Sequence, residues 1–341
     1  MKRFRLACAF LLAGVALAGP VKAQTVTLRL SHWLPPQHPI AAKSLVPWTQ
    51  SITEASGGTI KFEVFPAGQL GKPEDHFDLA RDGIADVAWL NPGFNAGRFP
   101  VFAAVQVPMM VSDGRGGMVA VNSWYAKYAP TEMREAKFCL SHMLAPLIFH
   151  TTKRIERPAD LSGMKIRPSS AMEAAFIRNA GGATVPGGNP EAREMISRGV
   201  IDGTTGVVGS QFVFGVTDVT KFHLDVPFSA VSFVLVINKD KYNAMTDKQK
   251  SAIDAHCNSA AAVKFFTAPQ AFEEEGFAKL RGLKDGREVV TPSPAALAEW
   301  RAAREQVRQS WAKDLAGKGE QPDAVMDELR NALRSNNALV E

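Results

Sequence analysis

The chain has 341 residues, a formal net charge of +5, and hydrophobic and charged fractions of 46% and 21%, which are ordinary values for a globular protein. Residues 1–23 carry Lys2, Arg3, Arg5 and Lys22 and no acid, so the 318 residues after them carry only +1. That balance, with no Lys/Arg cluster interleaved with aromatics, excludes a nucleic-acid-binding surface built on bulk charge.

The opening MKRFRLACAFLLAGVALAGPVKAQ combines a basic start, an apolar run to Ala18 and small residues at Val21 and Ala23. This is the pattern of a secretory signal peptide cut after Ala23, with Cys8 leaving in the leader. No later stretch approaches the roughly 18 to 20 unbroken apolar residues that a membrane span requires. The expectation is an exported, non-spanning protein of one or two globular domains. Cys139 and Cys257 remain, in a compartment that permits a bridge. Two cysteines cannot frame a domain this large, and the expectation is two buried thiols.

Alternating apolar side chains at residues 26–30 (VTLRL) predict a strand, followed by a proline-rich loop and a helix ending at the SGG near Gly57. Ile60, Phe62 and Val64 predict a second strand, the stretch after PAGQLG a helical run to Gly83, and IADVAWL a third strand. The theme recurs as GMKI, a helix from Ala171 to Asn179, ATV, a helix in PEAREMISRG, and VIDG. Strands alternating with helices imply parallel pairing, and two copies imply two lobes. Residues 233–238 (FVLVIN) predict a strand returning the chain to the first lobe. Thr246 and Gln249 predict a capped helix running on toward Leu283 with a kink at Pro269. A last helix places Leu297, Trp300, Ala303, Val307, Trp311 and Leu315 on one core-facing stripe.

The stretch DLSGMKIRP carries the chemistry. Ser170 and Glu173 read as a capping box, so a helix begins near Ala171 and Arg167 stands at the carboxyl end of a parallel strand beside a helix N-terminus. Backbone N–H groups and the helix dipole already favour an anion there. A guanidinium adds a planar fork that matches a carboxylate, and Pro168 narrows the backbone freedom of Arg167 before any ligand arrives. A surface ion pair with a neighbouring acid is the alternative role for this arginine.

Several stretches in order, LRLSHWLPPQHP, SGGTIKFEVFPAGQLG, GIADVAWLNPGFNAGRFP, PADLSGMKIRP, MISRGVIDG and LVINKDKYNAM, resemble the solute-binding proteins of tripartite ATP-independent periplasmic (TRAP) transporters. The resemblance implies an α/β fold of the two-lobed periplasmic binding protein type II class, with hinge strands and one long helix bridging both lobes. Lobe I would comprise residues 24–147 plus 236–275, and lobe II residues 148–235 plus 276–330 with the C-terminal helix. It implies periplasmic capture of a small organic acid for delivery to ion-gradient-driven TRAP integral membrane subunits, with no cofactor and no metal.

Within that resemblance the selectivity arginine of the KIR strand is Arg167. The amide expected just after the DG turn is missing, leaving Thr205, Gly206 or a nearby backbone N–H to serve. By position the facing lobe would offer His32, Trp33, Trp89, Asn91 and Phe94, the three large aromatics making an apolar wall suited to an aromatic or aliphatic carboxylate. Gln211, Phe212 and Phe214 are further candidates. A hydrolase is disfavoured, because no G-x-S-x-G elbow and no metal-ligand spacing is present, and GGATVPGG and GTTGVVGS read as turns. A binding protein serving a periplasmic sensor would use the same site chemistry.

Overall fold

A computed structural model of the chain describes residues 25–283 and 285–340. The signal-peptide expectation, at residues 1–23, lies outside the described residues. The first alternating run forms β1 (Val26–Ser31), with Leu28 and Leu30 fully buried. It lies parallel to β2 (Ile60–Phe65) on one side and to β3 (Val87–Leu90) on the other. Helices Val46–Ala55 and His76–Arg81 connect these strands, as their periodicity predicts.

The chain then enters β4 (Ala136–Thr151), a strand of 16 residues. The second lobe repeats the first, with β5 (Lys165–Arg167) parallel to both β6 (Ala183–Thr184) and β7 (Gly203–Gly206). The 17-residue β8 (Phe222–Asn238) and the short β9 (Glu288–Val290) complete a sheet ordered β2-β1-β3-β8-β4-β7-β5-β6, with β9 beside β8.

The long strands β4 and β8 belong to both lobes. One end of β8 pairs antiparallel with β3 (Val87 opposite Ile237), while the far end of β4 pairs with β7 (Ile148 opposite Gly206). Between them the β4–β8 register slips at Leu144 and Leu147, around Pro146, which has no N–H to give the ladder. Each lobe therefore hangs on the same two strands, and their irregular crossing is where the lobes meet.

Four sequence expectations change. Strand seven begins at Gly203 rather than covering VIDG, and GTTG is buried strand instead of turn. The reason is close approach: a Cβ on Gly203 would stand 2.5 Å from the His150 carbonyl oxygen. The helix opened by Thr246 stops at Asp254; the chain restarts at Asn258, whose side chain accepts from the Ala261 N–H at 2.9 Å, and the long helix is Ser259–Gly282. Cys139 and Cys257 are not free thiols but a disulfide across a sequence separation of 118 residues. The β4 strand brings Cys139 to the loop between those two helices, a juxtaposition with no local sequence signal.

The fourth concerns the C-terminus. Helix Pro294–Ala316 buries the predicted Trp300, Val307, Trp311 and Leu315. Trp300 Nε1–H donates to the Glu156 carbonyl in the second lobe, but Trp311 Nε1–H donates to the Pro100 carbonyl in the first, so this helix spans both. The following helix, Pro322–Ser335, lies on the first lobe, where Glu328 accepts from Lys127 Nζ at 2.7 Å and from the Tyr128 hydroxyl at 2.6 Å. Its amphipathic face needed a partner, and helix Gly114–Tyr125 with the loop before it supplies one.

Candidate functional site

Arg167 ends β5 held on both sides by parallel neighbours, and it is 1% exposed despite its charge. Its Nε–H donates to the Gly187 carbonyl at 2.9 Å; its Nη1–H groups face Ser169 Oγ at 3.1 Å, the Thr205 carbonyl at 3.4 Å and Asn189 Oδ1 at 3.5 Å. Every one of these acceptors is neutral, Nη2 makes none of the bonds, and Arg167 joins no ion pair among the described residues. Burial lowers its pKa to about 10, with Glu173 and Glu191 acting the other way, so it stays charged at neutral pH.

The carboxylate of Glu173 stands behind the arginine as a brace. Ser170 caps helix Ala171–Asn179 as predicted, accepting from the Glu173 N–H at 3.2 Å. The second half of the box differs: Glu173 Oε2 accepts from the Ser169 N–H at 3.0 Å and from the Thr205 hydroxyl at 2.5 Å. The helix terminus, β7 and the loop carrying Ser169 are thereby tied together, which holds the guanidinium in place.

Arg167 opens on a small cavity of about 40 Å³ between the lobes. Its floor is the strand crossing, through Leu144, Leu147, Val231 and Phe233. Trp33 faces it with ring centroids 5.1 Å from Trp89, 6.0 Å from Phe94 and 6.3 Å from Phe233. Trp89 is fixed in turn by stacking on Phe233 at 4.2 Å and by its N–H on His142 Nε2 at 2.7 Å. From the second lobe come Ser169, Asn189, Gly206, Ser210 and Phe214. Among the described residues, Arg167 is the one permanently charged residue of the lining, which contains no acid.

The lobes touch around this cavity. Asn91 Nδ2–H donates to the Ser169 carbonyl at 3.1 Å, while Asn91 Oδ1 accepts from the Gly93 N–H and from Gln106. His38, in the loop after β1, stacks on Phe214 at 5.4 Å. The arrangement is that of a closed cleft.

Of the residues read from sequence, Trp33, Trp89, Asn91, Phe94, Arg167, Gly206 and Phe214 line this one cavity. The others stand behind it. His32 is buried, its pKa lowered to about 4 by burial. Thr205 spends its hydroxyl on Glu173. Phe212 packs beside Ile148, Val208 and Leu280 under Lys279. Gln211 donates to Asn189 Oδ1 at 3.4 Å and crosses over Gly206 so closely that no Cβ would fit there. A glycine at 206 thus lets an amide from the next helix take the space where a side chain after the DG turn would be. Sequence reasoning missed His38, Ser169, Asn189, Ser210 and Phe233. His38 was the most legible of these, a polar residue between prolines in the loop already chosen for Trp33.

A buried, unpaired guanidinium facing an aromatic wall across a hinge defines a two-lobed binding protein for a small anion. The chain belongs to the bacterial extracellular solute-binding protein family 7, whose family model matches residues 30–314. It is similar in structure to a TRAP solute-binding protein from a marine metagenome, described as specific for aromatic acid ligands and solved with 3-hydroxybenzoate (27% identity, TM-score 0.86, covering 92% of this chain and 100% of that one). A TRAP solute-binding protein from Rhodoferax ferrireducens with copurified benzoate has 25% identity and TM-score 0.85, covering 92% and 99%. In sequence it is 26% identical to the "Outer membrane transporter protein TsaT" of Comamonas testosteroni, over 98% of this chain and 99% of that protein. The family and these structures are ligand-binding proteins of transporters, not enzymes. Among the described residues no helix is long and apolar enough to cross a membrane.

Proposed function

We propose that this protein captures an aromatic monocarboxylate in the periplasm and delivers it to the ion-gradient-driven membrane subunits of a TRAP transporter. The observation that carries the reading is Arg167: a buried cation whose protein partners are all neutral, in a lining without any acid. Removing a charge from water is costly unless a counter-charge accompanies it; Glu173 and Glu191 act on the guanidinium without forming an ion pair with it, and a ligand carboxylate supplies the directly bonded counter-charge. The body of the acid lies among Trp33, Trp89, Phe94, Phe214 and Phe233, which suits a flat apolar ring and offers few partners to the hydroxyls of a sugar acid. The two similar structures above, with 3-hydroxybenzoate and benzoate, support the same class.

In operation the acid docks on the Arg167 lobe of the open protein. Closure over the β4–β8 crossing brings Trp33 and Phe94 onto the ring, and Asn91 reaches the Ser169 carbonyl, excluding water and strengthening the ion pair. A thermal-shift screen of benzoates, phenylacetates, aliphatic dicarboxylates and sugar acids tests this. Saturation at about 100 times Kd stabilises the protein by about 2.7 kcal/mol. Aromatic monocarboxylates are expected to lead, and a sugar acid or dicarboxylate in first place would overturn the assignment. Uptake of the labelled acid by cells lacking this protein tests delivery, with loss of uptake expected.

A further inference from the structure

Besides Nη2 of Arg167, two buried hydrogen-bond donors in the cavity lining have no protein partner among the described residues. One is the indole N–H of Trp33, a group that only donates; it is buried and unpaired. The other is on His38, which is 1% exposed. Its Nδ1 faces the Ile40 N–H at 3.3 Å and accepts from it, which places the ring proton on Nε2, and Nε2 is buried without a partner. Both residues come from the loop after β1, on the lobe facing Arg167. Stacking against Phe214 and an edge contact with Phe272 hold the His38 ring in position from the second lobe and the long helix. Buried donors are seldom left unpaired in native proteins, because an unmade hydrogen bond forfeits the desolvation of the group.

We propose that the acid bound here carries a second, uncharged oxygen on its ring, a hydroxyl or carbonyl, that accepts from Trp33 Nε1–H and His38 Nε2–H. The inference rests on the aromatic-monocarboxylate reading and narrows it to oxygen-substituted acids. A second carboxylate does not fit this role. The lining holds one permanent cation, which the first acid group occupies, and burial lowers the His38 pKa to about 4, so the imidazole is neutral at pH 7. A neutral oxygen satisfies both donors without bringing an uncompensated charge into the cleft.

Isothermal titration with benzoate, its 2-, 3- and 4-hydroxy derivatives and benzene-1,3-dicarboxylate tests the proposal on the wild-type protein. One hydroxy isomer is expected to bind at least about 10-fold more tightly than benzoate, the scale of one hydrogen bond to an otherwise unpaired buried donor. The dicarboxylate is expected to bind more weakly than benzoate. Trp33→Phe and His38→Phe keep an aromatic ring and delete the N–H; either should cut the hydroxy-acid to benzoate affinity ratio several-fold. A merely structural role would weaken both ligands alike and leave that ratio intact. Benzoate matching or surpassing all three isomers, a ratio unmoved in both variants, or a preference for the dicarboxylate overturns the proposal. If benzoates bind without discrimination, only this inference falls; if none binds, the monocarboxylate reading falls with it.

Discussion

Arg167 concentrates the chemistry of this protein in one side chain, and its surroundings state what its loss should do. Nε and Nη1 are spent on the backbone and side chains of its own lobe, so the arginine is anchored before a ligand arrives, and Nη2 is not used in that anchoring. Removing one partner of an enclosed ion pair costs about 3 to 5 kcal/mol, or roughly 10² to 10⁴ in affinity. Arg167→Ala should therefore lose aromatic-acid binding on that scale in calorimetry while circular dichroism remains native. Arg167→Lys should be nearly as poor, because an ammonium cannot bond Gly187, Ser169 and a carboxylate from one planar group. Near-normal affinity in either variant would remove the arginine from its role.

Among the elements, the long helix Ser259–Gly282 holds the second lobe through one acid. Glu273 is buried and reaches into the N-terminus of helix Val208–Val213, accepting from the Gly209 N–H at 2.5 Å and from the Ser210 hydroxyl at 2.6 Å, beside the cavity-lining Ser210. Burial outweighs these donors and pushes its pKa up to about 7. A raised carboxyl pKa means that the folded protein binds more protons than the unfolded chain between about pH 4.5 and pH 7. The contribution is complete below pH 4.5 and is lost as pH rises through 7, by about 3 kcal/mol in all. The buried histidines, with lowered pKa values, have the opposite sign and are silent above pH 6.5. The clean measurement is the stability difference between wild type and Glu273→Gln across pH 4.5 to 8. It should shift in favour of the Glu273→Gln variant as pH rises from about 4.5 and level off above about 7. A pH-independent difference would show that Glu273 does not titrate in this window.

At the scale of the whole molecule, two strands and two bridging helices join the lobes, and one disulfide locks the start of the long helix to the first-lobe end of β4. The Cys139–Cys257 bridge ties β4 to the loop before the long helix, closing a loop of 118 residues. Cross-linking removes unfolded-state entropy, and for native bridges the typical loss on removal is about 2 to 5 kcal/mol. The double variant Cys139→Ser/Cys257→Ser should lower the unfolding free energy in urea by that order. It should leave ligand affinity within a few-fold, since neither cysteine lines the cavity. A wild-type midpoint in that variant would mean the bridge is dispensable.

How much was legible follows from the range of each signal. Parallel β1–β3 and β5–β7, the caps at Ser170 and Thr246 and the place of Arg167 at a strand end all come from neighbours within a turn or two, where period and propensity act. The aromatic wall was legible because Trp33, Trp89, Asn91 and Phe94 lie at or just past the carboxyl ends of strands, which face the cleft in this topology. The disulfide, the packing of Gln211 over Gly206, the placing of the last helix on the first lobe and the unpaired donors of Trp33 and His38 have no such local trace. They depend on where segments tens to hundreds of residues apart come to rest around the β4–β8 crossing. Local chemistry determined which residues could hold an acid, and only the folded chain decided which donors were left for the rest of it.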